Sequence, residues 1–193
     1  MKHKRSRAAG LSDPSRLPAL NPKDPALITV IIETPKGSRN KYAFDVQEKI
    51  FSLKRVLPSG MEFPYDFGFV PSTIAGDGDP LDALVLMDEP AFPGCRLSCR
   101  PIGIIEGCQG SKKHHERNDR LVCVEAGNHS YAHVKHVDDL GEHFEKELEL
   151  FFVNYHELSG QKYWILSTQG PAEARRQIKA CRKAVKRPSG RSP

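Results

Sequence analysis

No run of apolar residues in this chain approaches the roughly 20 that a helix needs to cross a bilayer; the longest, Leu27 to Ile32, is already interrupted by Thr29. A helical membrane span is therefore not expected. The N-terminus also lacks the apolar stretch of about 7–15 residues found in secretory signals, so the cytoplasm is the expected address. Cysteine is sparse and badly spaced for cross-linking: Cys95, Cys99, Cys108, Cys123 and Cys181 are odd in number and form no Cys-x-x-Cys pair. That excludes a disulfide framework or zinc ribbon and leaves reduced, buried thiols as the expectation. No internal repeat is visible. Acid is missing from one region altogether, since residues 175–193 hold eight Lys/Arg and no Asp or Glu, while residues 1–27 hold six Lys/Arg against two Asp. The net charge of +5 thus hides an acidic body, residues 28–174, at −7. Nucleic acid is not the expected partner, because the basic charge sits at the ends and the sequence shows no exposed aromatic platform for bases.

What is present suits one domain. A length of 193 residues with 38% hydrophobic and 27% charged side chains is enough for a real core. Residues 1–26, punctuated by Pro14, Pro18, Pro22 and Pro25, read as a flexible basic arm. Residues 27–187 read as the folded body, and residues 188–193 as a flexible tail. Within the body, short apolar or alternating runs recur between turn residues: Leu27 to Glu33, Lys41 to Asp45, Ile50 to Leu53, Leu84 to Met87, Leu97 to Ile105, Leu121 to Glu125 and Tyr163 to Ser167. This spacing predicts a barrel or a sandwich. Leu140, Phe144, Leu148, Phe151, Phe152 and Tyr155 then recur at helical spacing, with Asp139 and Glu142 as a capping box and Gly160 as the stop. A second helix is expected from Pro171, burying Ala174, Ile178, Cys181 and Val185.

Chemistry concentrates in Gly76-Asp77-Gly78-Asp79-Pro80-Leu81-Asp82, three carboxylates in six residues at the entrance of an apolar strand. In extended chain Asp77 and Asp79 share a face, and a bend at Pro80 brings Asp82 toward them. Two like charges 4 Å apart repel by about 4 kcal/mol at an effective dielectric of 20, so the crowding implies a cation. All the ligands are hard oxygens, which favours Mg²⁺, Mn²⁺ or Ca²⁺ over zinc. An EF-hand does not fit, because Asp82 stands where its loop requires glycine. Lys41, Arg55 and Arg120 lie in or beside predicted strands and are placed to grip phosphate oxygens next to such a cation. Glu33 adds an acid at the end of the first strand. His129, His133 and His136 lack the Glu of a His-Glu-x-x-His site and read as surface or subunit-contact histidines.

Asp77-Gly78-Asp79-Pro80-Leu81-Asp82 resembles the signature of the soluble family I inorganic pyrophosphatases. So do Val30 to Pro35, Lys41-Tyr42, Phe63 to Phe69, Arg100 to Gly103 and Phe151 to Tyr155, in the family's order across about residues 27–185. The resemblance implies a mainly β fold with α: a small closed OB-like β-barrel with two packed helices. It implies Mg²⁺-dependent hydrolysis of pyrophosphate to two phosphates by a metal-activated water, with Mn²⁺ as a possible substitute, and a homo-oligomer, a hexamer at this length. Carried over by position, Asp77, Asp82 and Glu33 would hold metal. Asp79 would help take the proton from the attacking water, and Lys41, Arg55, Arg120 and Tyr155 would hold phosphate. The chain departs from the pattern at Ala43 (usually an acid), Phe67 (usually tyrosine), and Arg120 and His156 (both usually lysine). Gln109 and Asn118 align with two acids that the family places around its metals. Asp119 is taken as the replacement ligand, with Glu106 and Glu116 as the other acids in reach. These exchanges leave a second reading, a catalytically impaired relative that binds phosphate-rich ligands.

Overall fold

The computed structural model describes residues 13–111 and 114–186; the other parts of the expected arm and tail lie outside the described residues. Nine strands and two helices follow one another as β1 (Ile28–Thr34), β2 (Asn40–Asp45), β3 (Ile50–Val56), β4 (Asp66–Phe69), β5 (Asp82–Leu86), β6 (Arg96–Gly110), β7 (His115–Arg117), β8 (Arg120–Glu125), α1 (Glu142–Glu157), β9 (Lys162–Gln169) and α2 (Pro171–Lys186). β1 pairs with β4, β4 with β5, β5 with β8, β8 with β6, and β6 with β1 again, which closes a ring of five strands. β7 and β9 extend the sheet from β6, and β2–β3 form a separate hairpin. This is the mainly β, ring-closed fold with two helices that the sequence predicts.

Strand parity sorts the core. Ala83 and Val85 on β5 and Leu121 and Cys123 on β8 pack in one cluster with Ala174, Ile178 and Cys181 of α2. Their neighbours Leu84, Leu86, Val122 and Val124 join Phe144, Leu148 and Phe152 of α1 in another. A period of two sends adjacent residues to opposite faces, so each helix receives its own face of the sheet. The described cysteines are all free, four of them buried. The side chain of Val185, expected to complete the α2 stripe, lies outside the described residues.

Two expectations change, and one strand follows a pattern that the sequence does not show. The first concerns the expected arm, whose residues 13–26 are tied to the body. Pro14–Arg16 form a 3-10 turn, Ala19 is 3% exposed within the α2-side core, Leu20 bridges to Ile28 and Asn21 Nδ2 donates to Ser98 Oγ at 2.8 Å. Four prolines limit helix and strand but leave a chain free to lie along a sheet edge. The capping box is the second. It belongs to His136 and Asp139 on the 3-10 turn Val137–Leu140, and α1 starts after Gly141 without a side-chain cap. Last, β4 carries no alternation because all four of its residues are buried. Its Gly68 is required by close approach, since a Cβ there would meet Ile31 O at 2.0 Å. Asp66 pins the start of β4 by accepting from Lys36 N–H at 3.3 Å and Ala91 N–H at 3.2 Å.

Candidate active site

A cleft of about 630 Å³ opens where β1, β2, the loop before β5, the start of β8 and the end of α1 meet; Glu33, Lys41, Asp77, Asp79, Asp82, Gln109, Asn118, Arg120, Tyr155 and His156 all line it. The loop carrying the acids is a local device. Asp77 Oδ1 accepts from Asp79 N–H at 3.1 Å, Ala75 N–H donates to Asp79 O at 2.7 Å, and Gly78 sits at φ +89°, a conformation that costs glycine little. Leu81, fully buried, anchors the far end. Asp77 and Asp79 thus stand on a tight turn while Asp82 begins β5.

Register supplies the cations. β5 and β8 run parallel with Asp82 opposite Arg120, and Arg120 Nε lies 3.8 Å from Asp82 Oδ2. Arg120 is 2% exposed. Its guanidinium lies 3.9 Å from the Phe152 ring centroid and 4.6 Å from that of Tyr163, and Nη1 donates to Asn118 O at 3.2 Å. Burial pushes the Asp82 carboxyl up to about 7, against the pull of Arg120 and Lys41. Lys41 faces Arg55 across β2–β3. Its Nζ is 3.5 Å from Glu33 Oε2 and 3.8 Å from the Phe67 centroid, so Phe67 offers a ring face to the ammonium. Burial lowers the Lys41 pKa and Glu33 opposes that fall. Glu33 also accepts from Phe44 N–H at 2.8 Å, which holds β2 against β1.

Arg55, expected to hold phosphate, does not line the cleft and packs on Tyr155, which does. Its guanidinium sits 5.2 Å from that ring and donates to Tyr155 O at 3.3 Å. Asp119 is not brought to the cleft. It is 6% exposed, accepts from Gly107 N–H at 3.1 Å and pairs with Arg117 at 2.9 Å. Arg117 also holds Glu106 at 2.9 Å. Asn118 and Arg120 face the cleft, and the residue between them must face away in extended chain. Gln109 and Asn118 therefore line the cleft, whereas Asp119, expected as a ligand, is turned away from it. Asp45, Gln47 and Lys54 also line the cleft. They read from sequence as ordinary hairpin polar residues, and no local signal distinguishes them.

Among the described residues no three His, Cys, Asp or Glu side chains converge into a ready-made metal cage. The donor set still fits a hard divalent ion. Asp77, Asp79, Asp82 and Glu33 offer oxygens around one opening, and the buried Asn118 Oδ1 has no hydrogen-bond partner. Mg²⁺ in particular keeps several waters and takes one or two carboxylates plus phosphate oxygens, so it needs no closed cage.

His156 lies against Arg120 at the back of the cleft. It is 5% exposed, its Nε2 lies 3.3 Å from Arg120 Nη2, and its ring stacks on Tyr163 at 5.0 Å. Burial, and then Arg120, lowers its pKa from 6.5 to about 4. A neutral imidazole accepts from the arginine where a second buried cation would repel it. Between pH 6.5 and 4 the unfolded chain binds the proton that the folded chain refuses, so this stabilisation is complete above about 6.5 and is lost as pH falls toward 4. Urea unfolding at pH 7 and pH 5 is expected to show wild type losing about 2 kcal/mol more than His156→Gln over that interval. Equal losses would remove the neutral-histidine account.

A family model described as inorganic pyrophosphatase matches residues 30–186. The inorganic pyrophosphatase of Synechocystis sp. is 47% identical over 146 residues, covering 76% of this chain and 83% of that protein. The Nostoc sp. inorganic pyrophosphatase is 42% identical over 174 residues, covering 90% and 99%. The crystal structure of inorganic pyrophosphatase from Thermus thermophilus aligns with a TM-score of 0.83 at 31% identity, covering 91% of this chain and 100% of that one. Because the match runs from β1 through α2 and encloses the whole cleft, the chain belongs to the inorganic pyrophosphatase family.

Proposed function

We propose that the chain hydrolyses inorganic pyrophosphate to two phosphates with Mg²⁺ as its cation, Mn²⁺ serving in its place. The observation that carries this reading is the intact Asp77, Asp79 and Asp82 set facing Lys41 and Arg120 across one cleft in a member of this family. Divalent ions bound there would lower the pKa of the attacking water and neutralise phosphate charge. Asp77, Asp82 and Glu33 are the residues that would hold them. Asp79, exposed at the lip of the loop, would accept the water's proton as the P–O–P bridge breaks and the bridging oxygen leaves with the second phosphate. Lys41 and Arg120, desolvated beside aromatic rings, would neutralise the phosphates more strongly than exposed cations would. Arg55 and Tyr155 would close the edge.

The alternative, a binder without turnover, draws support only from Ala43, Gln109 and Asn118; the retained acid triplet favours the enzyme. No helix among the described residues is long and apolar enough to cross a membrane, and a cytoplasmic location belongs to the same reading. Assembly into a homo-oligomer, a hexamer by family analogy, is also part of it. Ile50, Leu53 and Val56, all more than half exposed on β3, are available to a second copy.

Metal removal tests the cation requirement. Protein dialysed against EDTA is expected to release no phosphate from pyrophosphate, and millimolar Mg²⁺ is expected to restore the rate. Activity that survives EDTA would overturn the assignment of the Asp77–Asp82 loop.

A further inference from the structure

Gln109 and Asn118, which the family resemblance sets where two acids are usual, form an amide chain with a defined polarity. β7 lies antiparallel to β6 with Glu116 opposite Gln109. Gln109 Nε2–H donates to Glu116 Oε1 at 2.9 Å, which turns Gln109 Oε1 inward, where it accepts from Asn118 Nδ2–H at 2.5 Å. Asn118 Oδ1 is what remains, buried without a partner in a residue that is 8% exposed and lines the cleft. Main-chain atoms fix the rest of Asn118. Its N–H donates to Gly107 O at 2.9 Å and its carbonyl accepts from Arg120, so the freedom left is a flip of the side-chain amide.

A carboxylate has acceptor lone pairs and no donor, whereas an amide has one end of each kind. With Glu116 at the outer end, flipping Gln109 sets oxygen against oxygen there, and flipping Asn118 alone sets carbonyl against carbonyl within the pair. We propose that Glu116 is a positioning residue: acting through Gln109, it makes Asn118 present its carbonyl oxygen and not its NH₂ group to a divalent cation in the cleft. The inference rests on the metal-dependent reading above. A buried carbonyl without a partner is destabilising, and a cation, directly or through one of its waters, supplies that partner. An exposed residue in the middle of a short strand thereby controls the orientation of a neutral ligand.

The test is a double-mutant cycle read by Mn²⁺ binding to the full chain, measured by calorimetry. Glu116→Gln, whose side chain both donates and accepts, no longer selects one polarity and is expected to weaken Mn²⁺ binding about tenfold, the scale of lost outer-shell support. Asn118→Asp places two equivalent oxygens at the cation, so orientation ceases to matter, and adding Glu116→Gln to that variant is expected to change Mn²⁺ affinity less than twofold. If Glu116 acts only as a nearby negative charge, the tenfold loss persists in the Asn118→Asp background and the proposal fails. Unchanged affinity of Glu116→Gln in the wild-type background also overturns it. Pyrophosphate hydrolysis by the same wild-type preparation keeps the two readings apart. The expected Mn²⁺ pattern without phosphate release would sink the function and leave the positioning role standing, whereas no Mn²⁺ binding at millimolar concentration would overturn both.

Discussion

Asp79→Asn is expected to slow pyrophosphate hydrolysis by a factor of about 10²–10⁴, the usual contribution of a positioned general base. Stability is expected to stay within about 0.5 kcal/mol of wild type. The separation follows from how the loop is built. Asp79 supports the turn through its main chain, its N–H donating to Asp77 Oδ1 and its carbonyl accepting from Ala75 N–H, and an asparagine keeps both bonds. Its side chain is exposed at the cleft, so an isosteric amide disturbs no packing. What changes is the ability to take a proton. Steady-state phosphate release, paired with urea unfolding of the same variant, checks both halves. A variant that retains wild-type turnover would remove Asp79 from the chemistry.

Arg120→Met carries the largest expected effect on the fold. The arginine is 2% exposed and simultaneously faces Asp82, bonds Asn118 O and lies between Phe152 and Tyr163. Methionine can fill much of the volume and contact both rings. It cannot face Asp82, whose burial would then be offset by Lys41 alone among the cations that act on it. Losing the hydrogen bond to Asn118 O and the pairing with the partly buried Asp82 is expected to lower the unfolding free energy by about 1–3 kcal/mol. The Mg²⁺ concentration for half-maximal rate should rise as well, because Arg120 holds the backbone carbonyl of Asn118 and the carboxylate of Asp82 in register. Loss of less than about 1 kcal/mol, with an unchanged Mg²⁺ curve, would make Arg120 a spectator.

The sequence exposes the strands where both faces are buried over a continuous apolar run, and the helices where one face is buried and the other is not. β1, β5 and β8 announce themselves by apolar runs, and α1 and α2 by helical spacing. β4 gives no such signal because its four residues include Asp66 and Gly68, which break any apolar run, and β7 gives none because it is exposed throughout. The segment 13–26 looks like an arm because its anchors are one small alanine and a few main-chain bonds, which leave no periodic trace. At the site, the acid triplet is legible because three carboxylates in six residues demand an explanation. Asp119 misleads for the opposite reason. Charge alone suggests a ligand, and only the parity set by Arg120 in β8 shows that Asn118 faces the cleft while Asp119 serves Arg117 and Gly107. The cationic partnerships of Lys41 with Glu33 and Phe67, and of Arg120 with Asp82 and His156, arise from pairing between segments far apart in the chain, which no local pattern encodes.

Phosphorus NMR of pyrophosphate mixed with a catalytic amount of the purified chain tests the central claim most directly. The account predicts that in Mg²⁺ the pyrophosphate resonance is replaced by orthophosphate, two phosphates for each pyrophosphate consumed, and that the spectrum does not change in excess EDTA. A pyrophosphate resonance that persists in Mg²⁺, broadened by stoichiometric protein and never converted, would show a binding protein built on the enzyme's fold and contradict the account.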